Sequence, residues 1–256
     1  MLVKIQPKTL FVGKNLIFLP SCHSTNDIAS EIIQNKEFID GTVILTDHQT
    51  AGKGQRGNVW ESALGENLLM SVIIKTSFVK IERQFDLSIA VAISVFEALN
   101  AYAVSNLSIK WPNDIYLNNK KIGGILIENS ISGQKMGNSI IGIGLNIHQT
   151  KFENPRASSL ILESPQINFI RDTLVEKILE FLEQNLEALK EQKTNLLKKK
   201  YNDNLFAINE HRLFKTSEGI LEGKITGVTE NGLLKLISQN KEKYYNIKEI
   251  EYLFND

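Results

Sequence analysis

The 256-residue chain predicts an α-plus-β fold, in which a larger unit mixing strands and helices is followed by a small unit of strands alone. Three observations carry this. Apolar runs such as Thr42-Val43-Ile44-Leu45 and residues 67–74 read as buried strands. Residues 85–101 and 168–193 carry apolar side chains at helical spacing. Beyond Tyr201 the pattern changes to short strand-like segments between turns, which places a boundary near residue 205 and gives units 1–205 and 206–256.

Composition narrows the function classes. An apolar content of 42% supplies a core, and 29 Lys plus Arg against 29 Asp plus Glu leaves no global field to attract nucleic acid or an anionic membrane. A single cysteine, Cys22, excludes an internal disulfide and offers no zinc spacing, which fits a reducing, cytoplasmic compartment. The N-terminal residues lack the apolar core of a signal peptide, and no run approaches the ~20 apolar residues of a membrane span.

Taken in order, residues 15–19 form a short strand that Pro20 ends. Ser24 with Asp27 matches a capping box for a helix whose apolar face holds Ile28, Ile32 and Ile33. The same helix start offers N–H donors and hydroxyls to a carboxylate or carbonyl. Residues 47–60 then join two strands. Gly52, Gly54 and Gly57 bare the backbone while Lys53 and Arg56 add positive charge, the chemistry of a phosphate or carboxylate loop. A plain hairpin loop with solubilising charges accounts for the same residues, and the spacing matches neither a P-loop nor a dinucleotide fingerprint. Residues 85–101 make a core helix.

A second dense stretch begins at Lys110-Trp111-Pro112-Asn113-Asp114 and continues through a hairpin at Asn118-Asn119 to Gly123-Gly124. Lys110, beside a tryptophan, reads either as a strong partner for an anion or as a solvated strand lysine. Gly123-Gly124 reads as a bulge or as room for a flat ligand. In residues 139–148, Gly142 and Gly144 leave a slot on one face and Asn146 falls next on that face, where its amide can read a base edge. Asn168 caps the helix to about 193, and Lys198-Lys199-Lys200 reads as its solvated end. Strands at 219–228 and 233–237 flank Glu230-Asn231-Gly232, a type I′ hairpin signal, and residues 243–247 and 250–254 add two more.

Gly52-Lys53-Gly54-Gln55-Arg56-Gly57, Lys110-Trp111-Pro112-Asn113-Asp114 and Gly142-Ile143-Gly144-Leu145-Asn146, with Ser24-Thr25-Asn26 and the β-rich C-terminus, make the chain resemble a biotin protein ligase of the monofunctional type. The resemblance covers essentially the whole chain. It implies a mixed-sheet catalytic domain of the class II synthetase-like biotin/lipoate ligase type, followed by an SH3-like β-barrel. It further implies that biotin and ATP, with Mg²⁺, give biotinyl-5′-adenylate, which a lysine of a biotin carboxyl carrier domain then attacks. On this likeness Ser24, Thr25, Asn26 and Gln49 hold biotin, the loop of Gly52, Lys53, Gly54 and Gln55 closes over it, and Gly123 and Gly124 line the wall. Lys110 and Lys53 are the catalytic cations. Arg56, Gly57, Trp60 and Asn146 hold the adenylate, and no protein metal ligands are expected.

Two features depart from the family's pattern. Lys53 and Gln55 stand where most members carry arginine, so the loop has one fewer cation and Gln55 cannot fork onto a phosphate. The first helix signal already belongs to the catalytic unit, so no DNA binding is expected; a homodimer is compatible with the resemblance. The rivals are a lipoate- or octanoate-type protein ligase and a sensor that holds biotin or nucleotide without turnover.

Overall fold

The structure is a computed structural model and describes residues 5–133 and 135–254; the side chains of Arg56 and Ser132 lie outside that description. Strand β1 (Leu16–Leu19) leads through helix α1 (Thr25–Gln34) to β2 (Thr42–Thr46), which pairs with it in parallel. Antiparallel β3 (Asn67–Lys75), helix α2 (Gln84–Asn100) and strands β4 (Leu107–Lys110), β5 (Asp114–Leu117), β6 (Lys120–Ser132) and β7 (Lys135–Asn146) follow. The seven strands form one mixed sheet in the order β1-β2-β3-β7-β6-β5-β4. Helices α3 (Leu160–Glu163), α4 (Arg171–Lys190) and α5 (Thr194–Asp203) come next. Strands β8 (His211–Thr216), β9 (Gly219–Val228), β10 (Leu234–Ser238), β11 (Lys241–Tyr245) and β12 (Ile250–Tyr252) make a separate antiparallel sheet, β11-β10-β9-β8-β12.

Burial explains the layering. Every residue of β2 is buried, as expected of a strand covered on both faces. On one face α1 packs Ala29 against Ile44, Ile73 and Ile140. On the other, α2 and α4 build a core that runs on through Leu205 and Phe206 into Phe214, Leu234 and Leu236 of the second sheet. The two sheets meet along residues 109–112: Phe206 N–H donates to the Ile109 carbonyl at 2.8 Å, Trp111 Nε1 to the Gly232 carbonyl at 2.9 Å, and Tyr201 Oη to the Pro112 carbonyl at 3.2 Å.

Several expectations change in detail. Ser24 occupies the N-cap without a side-chain cap bond. The Thr25 N–H instead donates to Gln49 Oε1 at 2.8 Å, and Asp27 pairs with Lys53, so the expected capping box does not form. The helix expected from Asn168 starts at Arg171 and stops at Lys190, where Gln192 at φ 59° breaks it before α5. Lys198 and Lys200 are not a solvated end: they pair with Asp86 and Glu97 of α2. The Asn118-Asn119 turn has positive φ at both residues, as a type I′ hairpin requires. At 229–233 only Gly232 is left-handed (φ 85°), and its N–H donates to the Thr229 carbonyl, so this is the longer turn-plus-glycine loop rather than type I′.

One buried carboxylate organises the N-terminal segment. Glu183 of α4, 8% exposed, accepts the N–H groups of Leu10 at 2.5 Å, Phe11 at 2.8 Å and Val12 at 2.9 Å. Alanine there leaves three donors without their acceptor. Chemical denaturation of Glu183→Ala is expected to show a loss of about 3 kcal/mol; a loss under about 0.5 kcal/mol, the scale of an ordinary surface change, would show that water replaces the carboxylate without penalty.

Candidate active site

The central strands and the 52–60 loop enclose a cavity of about 50 Å³. Its floor is polar and deeply buried: Ser24, Thr25 and Asn26 are 2%, 3% and 4% exposed. Thr25 Oγ1 donates to Gln49 Oε1 at 3.1 Å, Ser71 Oγ lies 2.7 Å from Thr25 Oγ1 and 2.6 Å from Asn26 Oδ1, and Asn26 Nδ2 donates to Glu128 Oε2 at 2.6 Å. These groups offer donors and acceptors in a space closed to bulk water, where a matching polar ligand is strongly discriminated from an apolar one.

Gly142 and Gly144 make the expected slot. A Cβ on Gly142 would overlap the Asn26 carboxamide, and one on Gly144 would fall 2.6 Å from the Trp60 indole. Trp60 therefore lies across the slot, with the Gly124 backbone also against its ring and Lys121 Nζ 5.6 Å from its centroid. Its buried Nε1 has no hydrogen-bond partner.

The loop is folded on itself. Trp60 N–H donates to the Gly52 carbonyl at 2.9 Å and Gly54 N–H to the Asn58 carbonyl at 2.7 Å. A Cβ on Gly52 would come 2.6 Å from the Trp60 carbonyl, so only glycine permits this approach. Lys53, Gly54 and Gln55 line the cavity, whereas Gly52 supports the loop base and Gly57 is exposed at φ 86°. The Lys53 ammonium bonds Asp27, which raises its pKa. The expectation for Arg56 falls on a side chain outside the described residues.

Three further expected residues do not line this cavity. Gly123 faces Leu145 and Ile115 in the core, because adjacent strand residues point to opposite sides. Asn146 lies buried at the end of β7, where Nδ2 donates to the Ser158 carbonyl at 2.9 Å and Oδ1 has no partner. Lys110 departs furthest from its expected place. Its ammonium stands 4.5 Å from the Tyr252 ring centroid and 5.7 Å from that of Tyr116, in a separate cavity against the second sheet, so Lys53 and Lys110 share no cavity here. The physical reason is the turn after β4: residues 110–112 dock the second sheet, and only Asn113 and Asp114 reach the reaction side.

The cation that does reach the cavity is Lys121, with Nζ 2.7 Å from Asp114 Oδ1. In an unbroken strand Lys121 and Gly124 would face opposite ways. A register shift lets Ile115 pair with Gly123 and Tyr116 with Lys121, so Ile122 is extra and Lys121 and Gly124 turn to one side. The adjacent glycines were the sequence signal for this bulge, but not for the lysine that it redirects.

Burial holds the Lys110 ammonium below the ordinary lysine range. Its folded pKa lies below the unfolded value near ~10.4, so the unfolded chain binds the extra proton between the two. The stability of the protein relative to Lys110→Met is therefore expected to rise with pH across that window, read by urea denaturation at several pH values. A flat difference would contradict the buried placement.

Comparison with known proteins rests on the same segment. Residues 18–146 match the model of the biotin/lipoate A/B protein ligase family. The chain belongs to that family. Within it, a bifunctional ligase/repressor BirA of Bacillus spizizenii is 30% identical over 249 residues, spanning 95% of this chain and 76% of the relative. A biotin–[acetyl-CoA-carboxylase] ligase of Mycobacterium tuberculosis is 31% identical over 147 residues, 55% of this chain and 53% of that one. Among solved structures, a biotin protein ligase from Aquifex aeolicus in complex with biotin and ATP is 28% identical, with a TM-score of 0.76 over 94% of this chain and 100% of that chain.

Proposed function

We propose that this chain is a biotin–protein ligase, which activates biotin with ATP as biotinyl-5′-AMP and passes the biotinyl group to a lysine of a biotin carboxyl carrier protein. The polar floor beside Lys121 carries the reading: a ureido ring needs donors and acceptors together, and Thr25, Asn26 and Gln49 provide both. A linear acyl chain calls for an apolar tunnel instead, which disfavours the lipoate-type alternative.

In the first half-step a biotin carboxylate oxygen bonds to the α-phosphorus, the bond to the β-phosphate oxygen breaks, and pyrophosphate leaves with the electron pair. Both reactants are anionic, so Lys121, held by Asp114 beside the cavity, lowers the barrier by facing the charge as it concentrates. Lys53 supplies a second cation once it exchanges Asp27 for phosphate. Asn146 Oδ1, buried without a donor, suits the exocyclic amine of adenine, and Arg56 and Gly57 are assigned to the adenylate by the family resemblance alone.

Mg²⁺ belongs to the same reading as a partner of the ATP phosphates. Such an ion keeps several waters and needs one carboxylate besides the phosphates; among the described residues no three His, Cys, Asp or Glu side chains cluster. Asp114 is the carboxylate placed to share it, and the ion would neutralise phosphate charge. Residues 1–205 form the catalytic part of this reading and 206–256 the C-terminal β-domain. The balanced charge supports a protein without DNA binding, and the single cysteine supports a cytoplasmic setting. Among the described residues no helix is long and apolar enough to cross a membrane.

The test is incubation with ATP, Mg²⁺ and a carrier domain, with either biotin or lipoate. Biotin-dependent pyrophosphate release and a biotinylated carrier are expected. Lipoylation without biotinylation, or no pyrophosphate above background, would overturn the reading.

A cavity of about 50 Å³ is far below the ~300–1,000 Å³ of small-molecule sites, so the Trp60 indole must leave the slot when ligand enters. Biotin with ATP is expected to change the emission of Trp60 while Trp111, the second of the 2 tryptophans, stays constant. Emission that Trp60→Phe leaves just as ligand-sensitive would contradict this.

A further inference from the structure

Thr25, Asn26 and Gln49 line the cavity, whereas Ser71, fully buried behind them, and Glu128, exposed on β6, do not. Ser71 and Thr25 bring one hydroxyl proton each. Three contacts compete for those protons: Ser71 Oγ with Asn26 Oδ1 at 2.6 Å, Ser71 Oγ with Thr25 Oγ1 at 2.7 Å, and Thr25 Oγ1 with Gln49 Oε1 at 3.1 Å. Gln49 also takes the Thr25 N–H on Oε1 at 2.8 Å, which turns its own N–H groups away from the hydroxyls. The floor is therefore one proton short.

The shortfall depends on which way the Asn26 carboxamide points. Its Nδ2 donates to Glu128 Oε2 at 2.6 Å, and this presents Oδ1 to Ser71. Turned about, Asn26 would donate to Ser71, Ser71 to Thr25 and Thr25 to Gln49, so that each contact would hold a proton. That arrangement brings Oδ1 to 2.6 Å from a carboxylate that only accepts, and Glu128 excludes it. Asn26 is 4% exposed, so bulk water does not replace a lost partner.

Resting on the biotin-ligase reading, we propose that Glu128 is a positioning residue that sets specificity: by fixing Asn26 it leaves the floor with an acceptor in excess, which a ligand must fill with an N–H. A cyclic urea brings two such groups. When one donates to Thr25 Oγ1, the Thr25 proton serves Ser71, the Ser71 proton serves Asn26, and Gln49 Oε1 keeps the Thr25 N–H. A ring of the same shape that carries oxygen in place of that N–H leaves the shortfall in place and adds a further acceptor.

The experiment compares the protein with Glu128→Gln, whose amide can donate to Asn26 Oδ1 and so permits the turned carboxamide. Because Glu128 is exposed, Tm is expected to stay within about 2 °C. Glu128 also contributes to the field at Lys53, so binding rather than adenylation rate is read. Calorimetry without ATP measures biotin and the two carbamate analogues in which oxygen replaces one or the other ureido N–H. The parent protein is expected to prefer biotin over at least one analogue by about a hundredfold. Glu128→Gln is expected to bind biotin about tenfold more weakly and that analogue as before, which shrinks the preference to about tenfold. An undiminished preference in Glu128→Gln would overturn the assignment, leaving Glu128 a part in the fold alone if both affinities fell and none if neither did. A parent that bound both analogues as tightly as biotin would overturn it as well. If the parent bound no biotin, the ligase reading would fail first, an outcome distinct from these.

Discussion

Lys121→Ala is expected to form biotinyl-adenylate about a thousandfold more slowly while biotin binds within a few fold of its parent affinity. The ammonium lies beside the cavity, 2.7 Å from Asp114, and its charge matters most as negative charge concentrates at the α-phosphorus. Removing it also leaves Asp114 as an unpaired anion beside the phosphates, which adds repulsion to lost attraction. Single-turnover adenylate formation and calorimetric biotin titration separate the two effects. Lys110→Ala serves as the control: with its ammonium over Tyr252 rather than in the cavity, it is expected to keep adenylation within about tenfold. The reverse pattern, with Lys110 indispensable and Lys121 dispensable, would return the catalytic role to the strand before the turn.

Gly142→Ala is expected to weaken biotin binding about thirtyfold and to destabilise the fold by about 2 kcal/mol. The added methyl overlaps the Asn26 carboxamide, which cannot swing away freely because Ser71 holds its oxygen and Glu128 its nitrogen, each at 2.6 Å. One of those bonds must break inside a buried site. Gly144→Ala meets the Trp60 ring instead, a side chain that the closed cavity already requires to move, so it is expected to perturb loop closure more than stability. Biotin affinity unchanged in Gly142→Ala would show that Asn26 plays no part in the ligand floor.

Much of this was legible before the fold. Local patterns placed β2, β3 and α2 within one or two residues, the paired asparagines located the β5–β6 hairpin, and the slot at Gly142 and Gly144 followed from strand alternation alone. The ordered motifs named the family. What stayed hidden depends on which elements meet. Gln49 caps α1 from a distant loop, Glu183 gathers the N–H groups of residues 10–12 across more than 170 positions, and Lys198 and Lys200 find carboxylates on α2. Such partners leave no periodic trace in the chain, because side-chain charge and amide geometry are satisfied by proximity in space.

The choice between two lysines shows the division most clearly. Strand alternation and local pattern determined the glycine loop, the lysine near a tryptophan and the glycine-slotted strand, and the resemblance of these motifs in order to a known family joined them in one ligase. Only the tertiary structure decided that Lys110 turns to the second sheet and Lys121 to the cavity, because one extra residue in β6 changes which face the lysine occupies and docking of the C-terminal strands claims the other.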